Sequence, residues 1–145
     1  MNTKNHKDRA RKRAAFELIE REVESYHELK RWLDEEKMAI IESSPSNEVA
    51  VQSGPGDPTA SKTIKLCSSK TIIEIERRVK AIEYALDVVK RSGEANWMRL
   101  IELKYWDNKL TNAGIAAELH ISRATFHRWR RKFVELVAEY LGWEV

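Results

Sequence analysis

The chain has 145 residues, enough for one domain with a core or for a small domain with a helical appendage, and too few for a multidomain enzyme. Charged residues make up 34% and apolar residues 42%, with only five glycines and three prolines, a composition that favours helix over sheet. The net charge of +3 is unevenly spread: residues 1 to 13 set Lys4, Lys7, Arg9, Arg11, Lys12 and Arg13 against Asp8, and residues 111 to 132 set Arg123, Arg128, Arg130, Arg131 and Lys132 against Glu118. Positive charge gathered into two patches suits a polyanionic partner. Cys67 stands alone, which excludes an intrachain disulfide and a thiolate zinc cluster and favours a reducing compartment. Glu17, Glu20, Arg21 and Glu22 interrupt the stretch after the basic N-terminus before a signal-peptide core can form. No run approaches the roughly 18 apolar residues of a membrane helix. The expectation is a soluble cytoplasmic protein with no membrane partner.

From about residue 9, Phe16, Ile19, Val23, Tyr26, Leu29, Leu33 and Ile40 recur at helical spacing, which predicts one long amphipathic helix. Ser43, Ser44 and Pro45 end it, because proline lacks the amide donor and disfavours helical geometry in the residue before it. Residues 43–62 hold all three prolines and many small polar side chains, so they read as a flexible linker between an N-terminal segment, 1–42, and a helical domain, 63–145. Ser68 to Thr71 offer a cap for the next helix, whose Ile72, Ile75, Val79, Ile82, Leu86 and Val89 form a heptad seam. An internal bundle seam is the preferred reading of that stripe and an intermolecular coiled coil the other. Gly93 supplies a left-handed stop. A third helix is predicted over 94–106, with Trp97, Leu100, Ile101, Leu103, Tyr105 and Trp106 as its apolar content, followed by a turn at Asp107 to Lys109.

Residues 111–132 carry the functional expectation. Thr111 caps a short helix with Ile115, Ala116 and Leu119 on its apolar face, and Ala116 and Ala117 are small enough for a second helix to approach. His120 stands where the chain must turn through a left-handed conformation, which His tolerates better than most residues. Ile121 plugs the gap and Ser122 caps the next helix. This order is that of a helix-turn-helix. In the second helix Phe126, Trp129, Phe133, Leu136, Val137, Tyr140 and Leu141 are expected to face the core, which leaves Ala124, His127, Arg128 and Arg131 outward, flanked by Arg123 and Thr125. An arginine fork suits guanine in the major groove, and the helix N-terminus at Ser122 suits a phosphate. The expected DNA-binding residues are Thr111, Ser122, Arg123, Thr125, His127, Arg128 and Arg131, with Arg131, together with Arg130 and Lys132, assigned to the phosphate backbone.

The stretch LIELKYWDNKLTNAGIAAELHISRATFHRW resembles the promoter-recognising helix-turn-helix of sigma factors, in which a Leu-x-Tyr helix precedes a T-x-x-x-IA-x-x-L-x-IS-x-x-T pattern; His120 replaces the usual glycine. The whole chain is similar to the RinA-type phage transcriptional activators. The shared layout is a basic N-terminus, Tyr26 with Glu28-Leu29-Lys30 on a long helix, a Ser/Pro/Gly linker, the IERRVKAIEYAL helix and a terminal Leu141-Gly142 pair. That resemblance implies an all-α activator of late, morphogenetic phage genes acting at a promoter, with Ser122, Arg123, Thr125, His127 and Arg128 at the recognition positions. Double-stranded DNA is the expected partner, with RNA polymerase and a second copy of the chain as further candidates. A packaging subunit of the small-terminase kind is the alternative, and a purely helical interaction protein a third reading. For the basic N-terminus a solvated, frayed end is preferred over a DNA arm or a polymerase contact. His6 and His27 have no partners at metal-ligand spacing, and no catalytic motif or phosphate-cradling glycine loop is present, so no enzyme, metal or cofactor is expected.

Overall fold

The structure is a computed structural model that describes residues 3–42 and 69–145. Among them every regular element is helical: α1 (Thr3–Glu24), α2 (Tyr26–Glu42), α3 (Lys70–Arg91), α4 (Ala95–Ile101), a π-helical turn (Glu102–Asp107), α5 (Asn112–Glu118) and α6 (Arg123–Leu141). The expected linker 43–62, Cys67 and Ser68 lie outside the described residues. No described helix is long and apolar enough to cross a membrane.

The long helix expected from residue 9 starts earlier and is broken once. The basic run is helical from Thr3, where a frayed end was expected, and Lys, Arg and Ala there are all good helix formers. The break is confined to Ser25, whose N–H still donates to the Arg21 carbonyl at 3.1 Å. The apolar period runs straight through it: Ile19, Val23, Tyr26 and Leu33 are all buried.

Contacts divide the chain into two compact units, Met1–Tyr26 with Lys80–Val145, and His27–Val79. In the second, Leu33, Ile72 and Val79 are buried, and Lys37 Nζ meets Glu76 Oε1 at 2.6 Å. Ser69 starts α3, its Oγ accepting from Ile72 N–H at 3.4 Å. Five of the six seam residues of α3 are buried by the chain's own elements, and Ile75 is half-buried. Gly93 ends α3 with φ +76°, the left-handed conformation expected of it.

The first unit is a helical bundle in which α1 packs against the π-helical turn and α6, and α5 and α6 pack on each other. Leu100, Leu103, Ile115, Ala116, Leu119 and Phe126 form its core at the C-terminal end, with Ile121 and Trp129 packed against them. Full burial of each large apolar side chain contributes about 1.5–3 kcal/mol.

Candidate functional site

α5, the turn after it and the first half of α6 form one unit whose geometry follows from local sequence. Thr111, extended at φ −70°, caps α5 by accepting the Gly114 N–H at 3.1 Å. α5 ends in a Schellman motif: Ile121 N–H donates to the Ala116 carbonyl at 3.0 Å and His120 N–H to Ala117 at 3.2 Å. His120 holds the left-handed position at φ 53°, a conformation that costs a non-glycine residue about 1–2 kcal/mol. Ile121 packs on the cluster that contains Ala116, which completes the motif's apolar contact. Of the two alanines expected to admit the second helix, only Ala116 faces inward; Ala117 is exposed.

Ser122 caps α6, its Oγ accepting Thr125 N–H at 3.1 Å and donating to Thr125 Oγ1 at 3.0 Å. Its proton and one lone pair are thus engaged in the cap, worth about 1 kcal/mol. Phe126 and Phe133 are buried, as expected, and Trp129 is half-buried, stacked on Trp97 with centroids 6.2 Å apart. The Trp97 indole N–H donates to the Trp129 carbonyl at 3.1 Å.

This register leaves Arg123, Ala124, His127, Arg128, Arg131 and Lys132 exposed. Among the described residues Arg123 and Arg128 have no carboxylate partner, and Arg131 has only Glu135 at 3.9 Å, both well exposed. The first carboxylate of α6 is Glu135. Arg123 stands at the positive end of the helix dipole with no acid in the first turn, an arrangement that costs roughly 0.3–1 kcal/mol. Such a face holds fixed donors and uncompensated positive charge where an anion is attracted. Thr111, by contrast, stands just before α5 and is occupied as its cap.

Two sequence expectations for α6 are corrected. Tyr140 is 44% exposed and meets Tyr84 at 5.6 Å, while Val134 and Ala138 are buried in its stead. α6 packs on α4, α5 and α1. Arg130 does not join the outward cations. Its Nε and Nη2 donate to Glu20 Oε1 and Oε2 of α1 at 2.6 and 2.8 Å, and its guanidinium lies over the Phe16 ring at 5.3 Å.

The π-helical turn aims two more side chains at α1. Tyr105 donates its hydroxyl to Glu20 Oε1 at 2.8 Å, and Trp106 donates Nε1–H to the Val23 carbonyl at 3.0 Å. The wide turn closes through Asn108 N–H to the Leu103 carbonyl, with Asn108 left-handed at φ 47°. Burial alone would raise the Glu20 pKa, but hydrogen bonds from Arg130 and Tyr105 and nearby positive charge bring it below the ordinary value. Burial and the Glu20 carboxylate push the Tyr105 phenol up, so it stays a neutral donor. The Glu20 pair raises the Arg130 pKa. Burial, then the Arg130 charge, lower that of Lys104, whose Nζ donates to Asn112 Oδ1 at 3.1 Å. None of Glu20, Tyr105 and Arg130 was legible as a cluster in the sequence.

Among the described residues no group of three or more His, Cys, Asp or Glu side chains could hold a metal ion. The fold and site define an all-α protein with a C-terminal helical bundle and a cationic helix face. The chain belongs to a family described as Protein of unknown function (DUF722), whose model matches residues 29–139, well over half of its length. No curated protein and no solved structure matches it.

Proposed function

We propose that the chain is a sequence-specific DNA-binding transcriptional regulator, an activator of phage late genes, that reads a promoter with α6 as the recognition helix of a sigma-like helix-turn-helix. The observation that carries the reading is the outward face of α6: Arg123, His127, Arg128 and Arg131 are exposed on one capped helix with no acid before Glu135. The preceding turn supports it, since the left-handed His120, the Ile121 plug and the Ser122 cap set the two helices in a fixed relation, as groove entry demands. Arg123 and Arg128 offer forks for guanine edges, and Arg131 and Lys132 offer charge to phosphates. Activation and the late-gene target rest on the resemblance to RinA-type activators.

The test is selection of bound fragments from phage and host genomes, followed by affinity as a function of salt. Enrichment of a late-operon promoter with a steep salt slope supports the proposal. Enrichment of a packaging start site instead would favour a packaging subunit, and absence of binding at low salt would reduce the chain to a helical interaction protein.

A further inference from the structure

We infer that α1 supplies a second DNA-contacting wall, so that the N-terminal basic helix and α6 grip one sugar–phosphate strand between them. The inference rests on the DNA-binding reading of α6 and adds to it a partner surface 110 residues away in sequence, the separation of Glu20 and Arg130.

Arg9, Lys12 and Arg13 of α1 and His127 and Arg131 of α6 line a single open groove of about 620 Å³. Phe16 and Arg130, stacked on each other, lie between the two walls. Glu17 is the acidic side chain in the lining, which Val145 completes, and it sits 3.5 Å from Arg13 with both groups exposed. Lys12 lies 4.0 Å from Glu144, also at the surface. Exposed pairs at such distances are worth about 0–1 kcal/mol and yield readily to a phosphate. Arg130 is neutralised by Glu20, so the groove's working charge comes from Arg9, Lys12, Arg13 and Arg131.

Two observations favour a nucleic-acid backbone over a solvated charged face. The α1 cations are sorted by helical phase: at about 100° per residue Arg9, Lys12, Arg13 and Phe16 fall on one side and Lys4, Lys7 and Arg11 on the other. That second set lines a separate depression with Asp8. Finally, the Glu20 clamp fixes the spacing of the two walls, a pre-organisation that a loose basic tail lacks.

The experiment compares two triple variants of equal charge in the full chain, Arg9→Gln/Lys12→Gln/Arg13→Gln on the groove side and Lys4→Gln/Lys7→Gln/Arg11→Gln on the far side, against selected and random duplex DNA. Each lost phosphate contact lowers the slope of log K against log salt by about 0.9. The groove-side variant should lose up to about 2.7 of that slope and lose affinity by the same factor on both duplexes, while the far-side variant keeps the parent's slope. Equal losses from both variants, or no loss from either, overturn the inference and leave the role of α6 standing. Loss of all binding by the parent at low salt would overturn both. Gln is a good helix former, and circular dichroism checks that α1 persists. If the triple variant melts, Lys12→Gln alone should still lower the slope by about 0.9, and an unchanged slope counts against the grip.

Discussion

Glu20 and Arg130 meet in a two-pronged ion pair, Nε to Oε1 at 2.6 Å and Nη2 to Oε2 at 2.8 Å, with side chains only 13% and 25% exposed. Tyr105 adds a third donor to the same carboxylate. The pair ties α1 to the middle of α6, and the exposed face of α6 is oriented by it.

Removing the carboxylate strands a guanidinium that has little water to turn to. Glu20→Gln should therefore destabilise the chain by about 2–4 kcal/mol, toward the lower side of what breaking a buried pair costs. Thermal or urea unfolding measures this, and a loss under 1 kcal/mol would show the pair to be solvent-screened.

The same residue sets an acid limit. Its folded-state pKa lies below the ordinary 4.5, so the stability it contributes is fully present above that value and is lost as pH falls through the depressed one. The parent should lose stability on acidification below about pH 4.5 more steeply than Glu20→Gln does. Parallel stability–pH curves would contradict this.

Phe126 is fully buried in the C-terminal core and Trp129 is half-buried at its rim. Phe126→Ala should cost about 3–5 kcal/mol, and Trp129→Ala less, because part of its surface is wet in the native state. The ordering of the two melting temperatures tests the register of α6 directly.

His120 spends its φ of 53° in a region that glycine enters freely. His120→Gly should be neutral or stabilising by up to about 1 kcal/mol, whereas His120→Val should destabilise by more than about 1 kcal/mol. If glycine weakened the fold instead, the imidazole would have to be making a contact worth more than the strain.

Arg128 is exposed and has no carboxylate partner among the described residues. On the proposed function, Arg128→Ala should weaken binding to the selected site by about 1–3 kcal/mol and leave random duplex nearly unaffected. Equal loss on both would assign it to the phosphate backbone.

Much of the α5–α6 unit was legible because its determinants are local. Thr111 and Ser122 bond to amides three residues ahead, His120 turns the chain within one residue, and the Phe126–Phe133 spacing sets a face by helical period alone. The break at Ser25 was not legible, since the apolar stripe keeps its period across it. Nor was the π-helical turn, because its apolar residues satisfy an α-helical spacing as well.

The sequence by itself therefore determined that the chain is helical, where α5 and α6 begin, and that Arg123, His127, Arg128 and Arg131 of α6 face water; these depend on propensity, capping and periodicity over a few residues. Only the tertiary structure decided that Arg130 belongs to Glu20, that Tyr140 yields its core place to Val134 and Ala138, and that the cations of α1 stand beside those of α6. These outcomes depend on which helix covers which face. A pairing across 110 residues leaves no trace in local spacing, because each partner alone reads as an ordinary charge on a helix.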